Sequence, residues 1–148
     1  KYFLSNYKMK IMGFSFRKIS VEKFSDSFKD LKIGTNINIL EMNKIDVDFL
    51  NNKEEVIGVK FEYFINYEPN MAKIAFEGDV LISVEPTAAK EILKQWKDKK
   101  ISEEIKVPLF NLILRKSNIK ALQFQDELNI PIHIPFPSIK KSDEEKIK

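Results

Sequence analysis

The sequence predicts an α+β fold: a four-stranded antiparallel sheet with two C-terminal helices packed on one side. Three observations predict it. Apolar residues alternate with a two-residue period through about 7–85, and helical spacing takes over through about 86–130. The polar positions of the strongest strand also carry Lys60 and Glu62, which suits an antiparallel sheet with one wet face better than a doubly covered parallel one. At 148 residues the chain is the size of one ordinary domain. No repeat or linker interrupts 7–137, so residues 1–139 are read as one domain. Residues 140–148 are charged and nearly without apolar side chains, and are expected to be a disordered tail.

The first strand is expected at Lys8–Lys18. Met9 and Ile11 alternate with lysines, then Phe14 and Phe16 alternate with Ser15 and Arg17. The two sets are out of phase with Met12-Gly13 at the switch, and a bulge at Gly13 accounts for the jump. The polar stretch Ser20–Asp30 is expected to hold a short helical turn with Phe24 and Phe28 on one face. The second strand is expected at Gly34–Asn43, with Ile37 and Ile39 opposite Asn36 and Asn38. The third alternates strictly through Ile57, Val59, Phe61, Tyr63, Ile65 and Tyr67. Glu68-Pro69-Asn70 supplies a turn, with an Asn that tolerates left-handed backbone. Ile74, Phe76, Val80, Ile82 and Val84 then resume the two-residue period, with Gly78 among them. Two such runs around so short a connection predict a long antiparallel hairpin.

Pro86 suits the first turn of a helix, and Ala88, Ala89, Ile92, Leu93 and Trp96 follow at helical spacing. The lysine run Lys97-Asp98-Lys99-Lys100 closes that helix, where cations complement its dipole. Ser102-Glu103-Glu104 opens a second helix, with Pro108 expected in its first turn. One stripe runs through Phe110, Ile113, Leu114, Ser117, Ala121, Phe124 and Leu128, and a second through Leu109, Leu112, Ile119 and Leu122. A helix on a sheet needs an apolar arc of about 100°. The wider arc here predicts burial against the sheet on one side and a partner on the other. Pro131-Ile132-His133-Ile134-Pro135-Phe136-Pro137 closes the ordered part as an extended, apolar segment.

The composition removes many kinds of chemistry. Without cysteine there are no disulfides, thiolate nucleophiles or common zinc cages. A net charge of +3 is too even to imply nucleic acid, and only Arg17 and Arg115 offer guanidinium groups. No stretch approaches the ~20 apolar residues of a membrane span. The opening Lys1–Asn6 is too short and lacks a cleavage pattern for a signal peptide, so a cytoplasmic location is expected. There is no Gly-x-Ser-x-Gly elbow, and four scattered glycines cannot make a phosphate loop. Glu54-Glu55, Glu103-Glu104 and Glu144-Glu145 adjoin lysines and read as solvated turns or helix starts rather than metal ligands. His133 is the one histidine, with no acidic residue nearer in sequence than Glu127, and reads as a surface side chain. No enzyme, no cofactor and no metal is expected.

An apolar excess remains. Phe64 faces away from the third strand's stripe, and Phe14 and Phe16 are out of phase with Met9 and Ile11. Two helices cannot cover both faces of the sheet, so another subunit or an apolar ligand is expected to cover the rest.

The order of four strands, a shorter helix, a longer helix and a proline-rich close resembles the SecB family of protein-export chaperones. The resemblance covers about 56–137. It lies in Phe76-Glu77-Gly78-Asp79-Val80-Leu81-Ile82, in Ile105-Lys106-Val107-Pro108-Leu109-Phe110 through Arg115, and in Leu128-Asn129-Ile130-Pro131 through Phe136. The chain departs from that family in reading Asn111-Leu112-Ile113 where an aromatic-tyrosine-arginine cluster is usual, and in lacking an acidic surface. The resemblance implies an ATP-independent holdase that binds unfolded or preprotein polypeptide in apolar grooves. It also implies a dimer of dimers serving protein transport. On that reading client contact falls on Phe14, Phe16, Phe64, Ile132, Ile134 and Phe136. The oligomer interface falls on Leu109, Leu112, Ile119 and Leu122. Two other readings stay open: a helix-grip domain around an apolar small molecule, and a chaperone dedicated to one partner protein.

Overall fold

A computed structural model describes residues 9–47 and 53–141. The charged tail is therefore outside the described residues from 142 onward, as is Lys8. The strands are β1 (Lys10–Lys23), β2 (Lys32–Ile45), β3 (Glu55–Glu68) and β4 (Ala72–Val84), followed by helices α1 (Pro86–Lys97) and α2 (Glu103–Leu128). All pairings are antiparallel, in the order β1-β4-β3-β2. The expected fold class is the observed one.

The β3–β4 hairpin is the centre of the molecule. Val59, Phe61, Tyr63, Ile65 and Tyr67 alternate on one face of β3, and Ile74, Phe76, Val80 and Ile82 on the same face of β4, all of them buried. The turn between them has a cis Glu68–Pro69 bond and Asn70 at φ 46°. Gly78 lies where the Phe61 ring crosses β4: an added Cβ would stand 2.5 Å from the Ser15 carbonyl oxygen and 2.7 Å from the ring. Only glycine allows that approach.

The edge strands β1 and β2 reach the same core by an irregular route. Ile11 pairs with Ile82 but Phe14 with Val80; Phe16 pairs with Gly78 but Ile19 with Phe76; Ile39 pairs with Phe61 but Met42 with Val59. At each of these places the edge strand advances three residues while its neighbour advances two. The bulge expected at Gly13 is present with Met12, one residue earlier, as the extra residue, and two more lie at Arg17 and Leu40. Their effect corrects the sequence reading of Phe14 and Phe16. The extra residue returns both to the phase of Ile11, so they sit on the helix-covered face and not the opposite one. Their rings pack on Phe61 and Phe76.

β1 also continues to Lys23, and Phe24 and Ser25 donate backbone N–H bonds to the Met71 carbonyl. The expected helical turn around Phe24 and Phe28 does not form. Residues 24–31 instead cross the hairpin tip to the far edge, where Phe28 packs on Tyr67 at 6.3 Å.

Pro86 occupies the first turn of α1, as its fixed φ favours. Pro108 does not do so in α2. The helix starts at Glu103, with the Ser102 carbonyl accepting from Ile105 and Lys106, so Pro108 falls in the second turn. Fully buried Ile105 anchors the preceding turn to the core. The buried line of α2 is Ile105, Leu109, Ile113, Ser117, Ala121 and Gln125. Steps of four residues overshoot a helical turn by about 40° each, so this line winds around the helix as the twisted sheet requires. It threads both stripes read from the sequence. Asn129, at φ 55°, caps the helix in the left-handed conformation, and buried Ile130 packs beneath the cap.

Candidate functional site

The open face of the sheet is mostly a solvated ladder. Lys60 pairs with Glu41 at 3.3 Å, Lys18 with Glu77 at 3.8 Å, and Arg17 with Asp79. Asn38 donates to Glu62 at 3.0 Å. Exposed pairs of this kind each contribute about 0–1 kcal/mol. At one end the ladder gives way to an open trough of about 380 Å³, lined by Gly13, Ile45, Gly58 and Leu81 with Arg17, Lys60 and Asp79 at its side. Phe64 stands on this face, half-buried, with the Lys73 ammonium 5.0 Å from its ring centre.

Two further grooves flank the helical layer, one at each sheet edge. Between β1 and α2 a groove of about 360 Å³ is lined by Phe14, Phe16 and Ile119, with Arg115, Lys116 and Lys120 on its helical wall. Between β2 and the helices another is lined by Ile37, Ile39, Trp96, Ile101 and Phe110, with Lys99 and Lys106. There the two lysines lie over rings, Lys99 at 4.3 Å from Trp96 and Lys106 at 5.4 Å from Phe110. Among the described residues, each groove runs beside a strand whose outer backbone edge pairs with no other strand.

The proline-rich close is held down by a polar network. Tyr67 donates to the Pro131 carbonyl at 2.6 Å, and Tyr63 to Asn118 Oδ1 at 2.6 Å. Gln125 Nε2 reaches the Tyr67 oxygen at 2.6 Å and His133 Nδ1 at 2.9 Å. His133 Nε2 lies 3.0 Å from Asn118 Oδ1. One assignment satisfies these bonds: a neutral imidazole donates from Nε2 to Asn118 and accepts at Nδ1 from the Gln125 amide. Burial holds the His133 pKa below its usual value, which keeps that tautomer neutral. Burial likewise raises the Tyr63 and Tyr67 phenols, Tyr67 to about 12, so both remain donors. His133 is thus a half-buried tie between β3, α2 and the chain end, and not the surface side chain read from the sequence. The available signals were tyrosine in place of phenylalanine at 63 and 67, and Asn118 and Gln125 two helical turns apart.

The residues expected at the client site do not form one patch. Phe14 and Phe16 meet edge to face, 5.0 Å between ring centres, in the β1–α2 groove. Phe64 is on the other face of the sheet. Ile132 and Phe136 are exposed and Ile134 is half-buried, all three in the segment tied by His133. Of the expected interface residues, Leu109 is corrected. It is fully buried in the core of its own chain, because the winding buried line of α2 passes through it. Leu112 and Leu122 are half-buried, and Ile119, 52% exposed, turns into the β1–α2 groove.

No protein-family model matches the chain, and no curated protein matches it. Among solved structures it is similar to the Mycobacterium tuberculosis SecB-like chaperone Rv1957, determined in complex with a ChAD peptide from the HigA1 antitoxin Rv1956. The match has a TM-score of 0.50 at 12% identity and covers 88% of this chain and 90% of that one. The chain has a SecB-like fold. The similarity extends over nearly the whole length of both chains. No helix among the described residues is long and apolar enough to cross a membrane.

Proposed function

We propose that this protein is a non-catalytic, ATP-independent chaperone that holds unfolded or partly folded polypeptide. One observation carries the reading. Among the described residues, every exposed large apolar side chain of the sheet lies on β1 or β2, the two strands that also line the edge grooves, and none on β3 or β4. An extended client segment fits such a place. Its side chains enter the groove, and its backbone bonds to the unpaired strand edge without regard to sequence. Burial at about 25 cal/mol per Å² makes several hundred Å² of such contact worth several kcal/mol before ordering costs. A small apolar ligand would favour an enclosed cavity, whereas these hollows are partly open to solvent. Client contact on Phe14, Phe16, Phe64, Ile132, Ile134 and Phe136 then spans both faces and the chain end. Assembly as a dimer or tetramer in the cytoplasm, through Leu112 and Leu122, belongs to the same proposal, as does service to an export pathway.

The test is suppression of light scattering from a chemically unfolded client, without nucleotide. Suppression near stoichiometry is expected; no effect at several-fold molar excess contradicts the reading. The antitoxin peptide in the similar structure favours a narrower version, a chaperone dedicated to one partner. That version predicts suppression for one client and none for a panel of unrelated ones.

A further inference from the structure

We infer that the β1–α2 groove takes an extended segment whose apolar side chains alternate with Asp or Glu. This rests on the polypeptide-binding reading and names the partner's chemistry. The floor of the groove is Phe14, Phe16 and Ile119; its helical wall is Arg115, Lys116 and Lys120. Ser15 and Gln123 complete the lining, so no carboxylate belongs to it. Among the described residues none of the three cations makes an ion pair, whereas the cations of the open face are paired across strands. The cations of the opposite groove differ too, lying over Trp96 and Phe110. Neither groove is lined by a carboxylate, but among the described residues only the cations of the β1–α2 groove are free of both ion pairs and ring contacts.

The geometry selects among occupants. A second copy related by a two-fold axis through this patch would set three cations against three, which like-charge repulsion disfavours. Single-stranded nucleic acid needs free ring faces for stacking. Here one face of Phe14 is taken by Phe61, and Phe16 is tilted edge-on among Phe14 and Phe76, so the two rings offer no parallel platform for successive bases. An extended peptide needs neither. Its two-residue period places apolar side chains on the phenylalanines and carboxylates beside the helix. The regular window of β1 between the bulges at Met12 and Arg17 offers a short backbone edge, enough for a peptide and too short for open-ended sheet growth.

The experiment measures binding of three fluorescent peptides to the full chain by anisotropy. They share one alternating apolar set, with Glu, Ser or Lys at the intervening positions. The Glu peptide is expected to bind about tenfold tighter than the Ser peptide at low salt, the sum of three modest exposed charge pairs. That ratio is expected to fall below about threefold in ~0.5 M salt. R115Q/K116Q/K120Q should collapse it, K90Q/K94Q on α1 should preserve it, and I119S, a neutral change at an exposed position, should weaken all three peptides. Equal binding of the Glu and Ser peptides overturns the inference and leaves the chaperone reading standing; binding of none overturns both. Displacement of the Glu peptide by a single-stranded oligonucleotide at lower concentration overturns it in favour of a general polyanion site. A native mass showing self-association that excludes the peptide overturns it in favour of a second copy.

Discussion

The central strands and the edge strands solve the same packing problem to different depths. On β3 and β4 the period is strictly two, and the helix-covered side chains are sealed from water. On β1 and β2 the period is broken by three bulges, Phe14, Phe16, Ile37 and Ile39 are only half-buried, and Ile11, Ile19, Ile33 and Ile45 are exposed. One chain completes its core around the hairpin and leaves its flanks unfinished. The buried packing that stabilises the fold thus lies in the centre, and the apolar surface left for the proposed binding lies at the edges. Bulged edges also limit edge-to-edge aggregation, a hazard for any protein that keeps apolar strands accessible.

Substitutions that sharpen this contrast begin in the centre. Phe76→Ala removes a ring packed on Tyr63, Phe16 and Phe124. It is expected to cost about 3–5 kcal/mol in urea unfolding. Gly78→Ala, which drives a methyl into the Phe61 ring and the Ser15 carbonyl, is expected to cost about 2–3 kcal/mol. If either changes stability by under about 0.5 kcal/mol, the centre does not hold the fold.

The tie at the chain end gives a pH effect of smaller size. Above pH 6.5 the imidazole is neutral in folded and unfolded chain alike, and its contribution is complete. As pH falls below 6.5 the unfolded chain takes up a proton before the folded one, so stability declines until the lowered folded pKa is reached. Protonated Nδ1 would also face the Gln125 amide as donor against donor. Because His133 is the only histidine, its NMR titration is free of overlap. A midpoint at or above 6.5 would contradict the network, as would a thermal-melt pH dependence unchanged in His133→Asn.

The smallest effects are expected where little is packed. Ser117 Oγ is buried without a hydrogen-bond partner, so Ser117→Ala should be neutral or stabilising by up to about 1 kcal/mol. Ile19→Ser on the exposed edge should change stability by no more than about 0.5 kcal/mol. A loss comparable to that of Phe76→Ala would erase the distinction between centre and edge.

The sequence displays the centre openly because an unbroken alternation has one interpretation. Ile57 to Tyr67 and Ile74 to Val84 read directly as a hairpin with a turn at Pro69-Asn70. The edges were harder to read because a bulge shifts phase, and a phase shift looks like a change of face. The same signature marks all three: Ile11 to Phe14, Phe16 to Ile19 and Ile39 to Met42 are three-residue steps between apolar neighbours. Read consistently, that step would have carried β1 through Lys23 and removed the helical turn expected at Phe24. Leu109 was misplaced for a related reason: the buried line of α2 winds, so no straight stripe on a helical wheel separates core from surface. The polar tie was hidden because Tyr63, Asn118, Gln125 and His133 are 7 to 70 residues apart in sequence and meet only once sheet, helix and chain end are packed.

The decisive property of the molecule is where a bound polypeptide touches it. Hydrogen exchange of the full chain, with and without an unfolded client, reads this directly. Slowed exchange is expected along β1, β2 and the segment after α2, with β3 and β4 equally slow in both states. Unchanged exchange at both edges in a complex shown to be saturated would contradict it.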